Sequence, residues 1–140
     1  MNEGTFTKVD ATDERMYGPR GIIVCGYPPP EHGPLAQFLD ALMGPEMKVC
    51  FASEEIQERS LKDILALPHG YGQGGPSGLR RAMVISGCTQ RELHTLMSGY
   101  RQAGLPGQLW ATLTPVSEGW TLKILLEELA KEAQAIKSRQ

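Results

Sequence analysis

Short apolar runs alternate along this chain with stretches of helical periodicity. Four runs, at residues 21–25, 47–52, 82–86 and 109–113, are apolar and rich in β-branched or bulky side chains, which predicts buried strands. After each run, apolar side chains recur at the three- and four-residue spacing of one helix face. Glycine or proline interrupts most of these segments. The pattern therefore predicts four strands that alternate with four helices.

Polar residues mark where three of these helices begin. Ser60 and Thr121 each precede an apolar helical stretch and are suited to accept a hydrogen bond from the first helical turn. Thr89 and Glu92 form a T-x-x-E capping box, in which each side chain satisfies a backbone N–H of the other. These signals predict helix starts just after residues 60, 89 and 121.

The second half of the pattern repeats the first. A single ungapped offset of 61 positions aligns residues 20–67 with 81–128 and superimposes every predicted strand and helix on its counterpart. The identical pairs are Arg20 and Arg81, Gly26 and Gly87, Glu31 and Glu92, Leu35 and Leu96, Pro45 and Pro106, Leu61 and Leu122, Lys62 and Lys123, and Leu65 and Leu126. We therefore interpret the chain as two β-α-β-α repeats.

These repeats define the predicted organisation. An N-terminal tail at 1–19, expected to be flexible, precedes a single α/β domain at 20–140, with repeats at 20–68 and 80–137 joined by a glycine-rich linker at 69–79. A strand-helix-strand unit with short loops makes its two strands parallel neighbours. We expect one four-stranded, mainly parallel sheet of order 2-1-3-4 with helices packed on it. A mixed sheet is the alternative, if the linker returns the chain in the reversed direction.

Composition narrows the class of protein. The chain has 140 residues, of which 41% are hydrophobic and 21% charged, as in soluble single domains. A net charge of −2 offers no basic excess for nucleic acid, and no apolar stretch approaches the roughly 18 residues of a membrane span. The chain has three cysteines, Cys25, Cys50 and Cys88, so they cannot all form disulfide bonds within it. No two of them have the C-x-x-C spacing of a zinc or redox site. We expect a cytoplasmic protein without nucleic-acid, membrane or metal sites.

The second unit also carries a family resemblance. Its signals are the strand Met83–Gly87, the segment Trp110–Pro115, and Trp120–Leu122 at the start of the last helix. Over about residues 80–135 the chain resembles a bacterial family described as domain of unknown function 3783. The resemblance implies a bacterial cytoplasmic protein with a strand-helix-strand-helix unit. It supplies no activity, cofactor or catalytic residue.

Two residues beside helix starts are candidates for chemistry or binding. Cys88 precedes the Thr89 cap, where a helix dipole can lower a thiol pKa, so it is the one reasonable nucleophile or redox sensor. Trp120 precedes the Thr121 cap and could contact a ligand or partner. At both positions we favour a hydrophobic staple, in which the side chain packs against the first turns of the helix.

The glycine-rich stretch at 70–78 contains the spacing G-x-G-x-x-G. A dinucleotide fingerprint follows a strand and opens a helix, whereas this stretch follows a helix and precedes a strand. We therefore interpret it as a flexible linker, with Tyr71 as its one apolar anchor. A phosphate-ligand binder that uses this stretch is the weaker alternative.

No Ser-His-Asp or paired-carboxylate arrangement can be recognised, so we assign no catalytic residue. We expect a non-catalytic binding or protein-interaction module, whose partner is a second copy, through pairing of sheet edges, or another protein. A small thiol-dependent enzyme or redox sensor using Cys88 is the alternative. If a small ligand binds, we expect it where the loops after strands 1 and 3 meet. The candidate binding residues are Gly26, Tyr27, Gly87, Cys88, Thr89 and Trp120. The sequence identifies neither a ligand nor a cofactor.

Overall fold

A computed structural model describes residues 14–138. Four strands and four helices alternate in the predicted order. The strands are β1 (Gly21–Cys25), β2 (Val49–Ala52), β3 (Ala82–Ser86) and β4 (Leu109–Thr112). The helices are α1 (Pro29–Met43), α2 (Leu61–Leu65), α3 (Gln90–Gln102) and α4 (Leu122–Ser138), and short 3₁₀ turns lie at Glu54–Ile56 and Ser117–Gly119.

The strands form one sheet in the order β2-β1-β3-β4, which matches the predicted order. The pairs β1–β2 and β3–β4 are parallel, as the strand-helix-strand units require. The central pair β1–β3 is antiparallel, with Ile23 opposite Val84. The prediction of a mainly parallel sheet is therefore wrong, and the mixed sheet is the arrangement that forms.

The antiparallel centre places corresponding helices on the same face of the sheet. One apolar core contains side chains of α1 and α3 against Ile22, Val24 and Met83. The other core contains side chains of α2 and α4 against Ile23 and Val84. Helices thus cover both faces, so the strands are apolar on both sides, as their continuous apolar runs indicate.

The two helices on the first face lie close together. A Cβ atom on Gly99 of α3 would lie 2.8 Å from Leu42 Cδ1 of α1, so glycine at this position permits the approach of the helices. If β1 and β3 were parallel, equivalent crossovers of the same hand would place α1 and α3 on opposite faces. The α1–α3 contact is therefore a consequence of the reversed second unit.

Contacts between the two halves are reciprocal at a spacing of 61 positions. In the central pair, Gly21 faces Ser86 and Cys25 faces Ala82. At the helix starts, Leu61 N–H donates to the carbonyl of Trp120 at 2.9 Å, and Leu122 N–H donates to the carbonyl of Arg59 at 3.1 Å. The two halves are thus related by an approximate two-fold axis between β1 and β3.

The predicted helix caps are confirmed. Ser60 Oγ accepts from Asp63 N–H at 3.1 Å, and Thr121 Oγ1 accepts from Ile124 N–H at 3.1 Å. Thr89 and Glu92 form both hydrogen bonds of the capping box. The polar residues read from the sequence therefore start α2, α3 and α4 as expected.

The part of the predicted tail that the structure describes contacts the loop after β3. Met16 N–H donates to the Cys88 carbonyl at 2.9 Å, and Gly87 N–H donates to the Tyr17 carbonyl at 3.1 Å. Arg15 forms an isolated antiparallel bridge with Thr89. Residues 14–19 therefore cover Cys88 on one side, while residues 1–13 of the predicted tail lie outside the described residues.

The glycine-rich segment, which we define as residues 69–79, runs along the outer edge of β2. Gly70 N–H donates to the Val49 carbonyl, and Phe51 N–H donates to the Tyr71 carbonyl, both at 2.8 Å. Val49 N–H also donates to His69 Nδ1 at 3.1 Å. The segment thus occupies this edge of the sheet through hydrogen bonds that the sequence pattern does not reveal.

Further hydrogen bonds hold the rest of this segment. Gly74 N–H donates to Nδ1 of the buried His32 at 2.7 Å, and Gly78 N–H donates to Glu54 Oε2 at 2.9 Å. Gly72 has a φ of +78°, and a Cβ atom there would overlap the Phe51 carbonyl oxygen. Glycine is therefore required where the segment passes close to β2.

Candidate functional site

The two loops that form the predicted ligand site do not meet. Gly26 and Tyr27 follow the C-terminal end of β1, and Gly87, Cys88 and Thr89 follow the C-terminal end of β3. Because β1 and β3 are antiparallel, these two C-terminal ends lie at opposite ends of the central strand pair. The expectation that both loops line one crevice is wrong, because it required β1 and β3 to be parallel neighbours.

The paired glycines allow backbone to approach backbone at each end of the central strand pair. Gly26 has a φ of +80°, and a Cβ atom there would lie 2.5 Å from the Leu79 carbonyl oxygen. Gly87 has a φ of +67°, and a Cβ atom there would lie 2.5 Å from the Gly18 carbonyl oxygen. Each glycine therefore makes room for the segment that leads into the neighbouring strand, and this accounts for both residues without a ligand.

Tyr27 fills the space beyond β1. Its side chain is buried, and its hydroxyl lies 2.9 Å from the Tyr100 hydroxyl and donates to Gln108 Oε1 at 2.6 Å. The Arg81 guanidinium lies over the Tyr27 ring, 4.4 Å from its centre. Burial raises the pKa of Tyr27, so the phenol stays protonated. Tyr27 is a hydrogen-bonded core residue, and the crevice predicted beside it is occupied by its own side chain.

Cys88 is fully buried in the core that contains α1 and α3. Burial raises the pKa of its thiol to about 11; the neighbouring Glu92 acts in the same direction, and Arg20 and Arg15 oppose the shift. The expectation of a lowered pKa is wrong, because loss of solvent outweighs any effect of the helix start. Leu93 packs against the same core, which is the arrangement that a hydrophobic staple requires.

Trp120 takes a structural position before α4. Its carbonyl accepts the Leu61 N–H, and its partly buried side chain packs against the core that contains α2 and α4. Leu125, four residues into the helix, belongs to that core. The contacts of Trp120 therefore resemble a hydrophobic staple at the junction of the two halves.

Glu92, which forms the capping box with Thr89, also forms a bidentate ion pair with Arg20, the residue before β1. Arg20 Nη1 and Nη2 donate to Glu92 Oε1 and Oε2 at 2.7 and 2.6 Å. The pKa of Glu92 falls from its ordinary 4.5 to about 2, chiefly because Arg20 donates to the carboxylate; burial opposes this, and the Thr89 N–H reinforces it. At the equivalent position of the first unit, Arg81 donates to Glu31 through a single contact at 3.1 Å.

We expect Glu92→Gln to lower the free energy of unfolding at pH 7 by about 1–2 kcal/mol, because the amide keeps the cap but loses the charged pair, which is partly exposed. Since the folded pKa is lowered, this stabilisation is present above about pH 4.5 and is lost as the pH falls towards 2. Urea unfolding at several pH values measures it. The matched control Glu31→Gln should change stability by less than about 0.5 kcal/mol; equal losses in both variants would contradict the assignment.

The outer edge of β4 differs from the covered edge of β2. All four residues of β4 are partly exposed, whereas all four residues of β2 are buried. Leu109 N–H and Leu113 N–H donate towards β3, to the carbonyls of Arg81 and Ile85. The intervening residues Trp110 and Thr112 therefore direct their backbone N–H and carbonyl groups outward, and within residues 14–138 no backbone segment pairs with them.

Sequence reasoning anticipated free sheet edges in general but did not single out this one. The available signal is an asymmetry between the units: a glycine-rich segment follows α2, while in the same place of the second unit α4 continues as a long helix. The first unit thus has a segment that covers its edge strand. Among the described residues the second unit has none.

A groove lies beside the free edge, between α3 and the N-terminal end of β4. Two adjoining concave regions of about 340 and 230 Å³ share Gly107 and Gln108. Their other lining residues are Arg80, Arg81, Leu109, Met97, Tyr100, Arg101, Leu105 and Trp110. The lining contains arginines and apolar side chains and no acidic residue. Within the described part of the chain, neither Arg80 nor Arg101 forms an ion pair.

Metal sites and membrane-spanning helices are absent from the described residues. Over residues 14–138, no three histidine, cysteine or acidic side chains are grouped so that they could hold a metal ion. Within the same range, no helix has the length and apolar character needed to cross a bilayer. We take the outer edge of β4 and the groove beside it as the candidate functional site, because the outward backbone groups of Trp110 and Thr112 have no strand partner among the described residues.

Comparison with known proteins bears on the second unit. No curated protein and no solved structure matches the chain. A family model described as "Domain of unknown function (DUF3783)" matches residues 81–136, which confirms the resemblance drawn from the strand, Trp110–Pro115 and Trp120–Leu122. The matched range runs from the residue before β3 through nearly all of α4 and includes the free edge strand. The second β-α-β-α unit of this chain is thus the part that matches the DUF3783 family.

Proposed function

We propose that this chain is a non-catalytic interaction module that forms a homodimer by pairing the outer edge of β4. The observation that carries the proposal is the pair of outward-facing residues Trp110 and Thr112, whose backbone groups lie without a strand partner. An open edge presents donors and acceptors at the spacing of a β-strand, so an extended segment can add to the sheet.

The contrast between the two edges supports this assignment. The chain covers β2 with its own glycine-rich segment, which includes two backbone hydrogen bonds to the strand. Unpaired edges are usually blocked because they promote association. That one edge is blocked and the other left open favours association through β4 alone, which limits assembly to a closed pair.

The alternative functions have less support. A thiol-dependent enzyme needs an accessible thiolate, and Cys88 is buried with a raised pKa. A phosphate ligand needs free N–H groups, and those of Gly70, Gly74 and Gly78 already donate to protein acceptors. Neither feature offers the chemistry that its function requires.

We also infer that the two halves are internal repeats and that the protein is bacterial and cytoplasmic. The reciprocal contacts at a spacing of 61 positions support the repeat. Three cysteines without disulfide bonds support a reducing compartment. The bacterial origin rests on the resemblance of the second unit to its family.

Thr112→Pro tests the proposal, because proline removes the outward N–H of an edge strand and is tolerated there. We expect the wild type and the matched control Thr112→Val, which keeps the N–H, to have dimer mass in light scattering at micromolar concentrations. Thr112→Pro should have monomer mass, with at least a tenfold weaker association constant and an unchanged circular dichroism spectrum. A wild type that remains monomeric up to millimolar concentrations would overturn the proposal, as would a Thr112→Pro dimer of wild-type affinity.

A further inference from the structure

We infer that the second copy pairs with β4 in an antiparallel register centred on Ala111, so that Val116 of each copy packs into the groove beside β4 of the other. This inference rests on the proposed dimer and adds the geometry of its interface. It assigns the groove lined by Met97, Leu105 and Trp110 as the site for a side chain of the second copy.

The direction of pairing follows from the layers of the fold. At the centre of the sheet, β1 and β3 pair antiparallel about an approximate two-fold axis, and corresponding helices share a face. An antiparallel β4–β4 pair repeats this relation between two copies, if their two-fold axis is parallel to the axis between β1 and β3. It places α3 beside α3 and α4 beside α4, so both helical layers continue across the joint without exposing a bare face of the sheet.

The register follows from the groups that face outward. Trp110 and Thr112 are the residues of β4 that direct backbone groups away from β3. In a register centred on Ala111, Trp110 of one copy lies opposite Thr112 of the other. Each such pair exchanges two hydrogen bonds, and the two-fold axis generates a second pair. This register therefore uses every outward N–H and carbonyl of the strand.

Val116 provides the apolar contact. Its side chain is 72% exposed, more than that of any other exposed large hydrophobic residue among those described. Val116 lies in the turn after β4, and Pro106 lies in the loop before it. Antiparallel pairing therefore brings the turn of one copy to the end of the joint where that loop of the second copy lies. The groove lined by Leu105, Gly107 and Trp110 lies there. An exposed apolar side chain and the apolar part of the groove thus face each other twice across the two-fold axis.

Charges at the two ends of β4 agree with this orientation. Arg80 and Arg101 line the groove at the N-terminal end and form no ion pair within the described chain. Glu118 follows the C-terminal end, where one carboxylate oxygen accepts from the Tyr17 hydroxyl at 2.8 Å. Antiparallel pairing brings Arg80 and Arg101 of each copy towards the end of β4 where Glu118 of the other copy lies.

Ala111→Cys tests the register directly. In this register Ala111 faces its own counterpart as a non-hydrogen-bonded pair, whose Cα separation of about 4.5 Å lies within the range of a disulfide. We expect oxidised glutathione to convert Ala111→Cys to a covalent dimer, with release of two reduced glutathione molecules, at least tenfold faster than it converts the control Thr112→Cys, which faces Trp110. The native cysteines are all buried and do not compete.

Val116→Lys tests the apolar contact without disturbing the monomer, because the side chain is exposed. We expect at least a tenfold weaker dimer, because the ammonium group would replace an apolar contact and lie near the arginines of the groove. The control Ile136→Lys, on an exposed position near the end of α4, should leave the dimer unchanged. A wild-type dimer that shows neither the Ala111→Cys cross-link nor sensitivity to Val116→Lys would overturn the register but leave the proposed dimer in place. A wild-type monomer would overturn both, and slow hydrogen exchange at Thr112 in that monomer would place another segment on the edge.

Discussion

Gly26→Ala is expected to lower the free energy of unfolding by about 3 kcal/mol. Two costs combine: a side chain at a φ of +80° is strained by about 1 kcal/mol or more, and its Cβ atom would contact the backbone of residues 79–81 at 2.5 to 2.6 Å. Because backbone atoms cannot rotate away as a side chain can, the segment that leads into β3 must shift. Urea or thermal unfolding measures the loss.

Gly104→Ala separates these two costs. Gly104 has a φ of +71°, similar to that of Gly26, but a Cβ atom there would lie in open space. We expect a loss of about 1 kcal/mol, from conformational strain alone. Gly87→Ala should resemble Gly26→Ala, because its Cβ atom would lie 2.5 Å from the Gly18 carbonyl oxygen. Equal losses at all three positions would show that the close backbone approach contributes nothing.

Native Cys88 is expected to react with a thiol reagent at pH 8 more than 100-fold slower than an exposed cysteine. A pKa of about 11 leaves about one thousandth of the thiol as thiolate, against about a quarter at an ordinary pKa of about 8.5. Burial slows the reaction further, because the reagent reaches the sulfur only when the structure opens. The rate of reagent release in folded protein, compared with protein in guanidinium chloride, measures the protection.

The other cysteines serve as internal references. Burial raises the pKa of Cys25 to about 12, and Cys50 is buried with its pKa also raised, chiefly by burial. We expect all three thiols to label together once the chain unfolds and none of them rapidly before. Fast labelling of one site in the folded protein, mapped to Cys88 by mass spectrometry, would favour the thiol-dependent function over the interaction module.

The order of elements and the helix starts could be predicted because their causes are local. A strand or helix is indicated by the spacing of its apolar residues, and a cap by a polar residue within a few positions of the first turn. Thr89 and Glu92 show this directly, since both hydrogen bonds of the capping box lie within three residues. The offset of 61 likewise aligned Arg20 with Arg81 and Glu31 with Glu92. In the structure Arg20 forms an ion pair with Glu92, and Arg81 forms one with Glu31.

The candidate site could not be predicted in the same way, because it depends on which groups are left without partners. The apolar run at 109–113 indicates a strand in any fold, but only the sheet order makes it an edge. His69, Gly70 and Tyr71 have no periodicity that would reveal their hydrogen bonds to β2. The pKa of Cys88 could not be predicted for a related reason. The helix start that would lower it is visible in the sequence, whereas residues 14–19, which help to bury the thiol, are distant from it along the chain.

The amino-acid sequence by itself determined two successive strand-helix-strand-helix units and their parallel pairs, because short connections and apolar periodicity constrain neighbours within a unit. The order 2-1-3-4 was an expectation, and the structure confirms it. Only the tertiary structure decided that the second unit runs opposite to the first. The connection between the units includes α2 and the glycine-rich segment, and no rule of handedness restricts a link of that length. With that reversal, α1 and α3 pack together in one core on the same face of the sheet. The reversal separates the loops of Tyr27 and Cys88. The strand order places β4 at an edge, and among the described residues no other segment pairs with it.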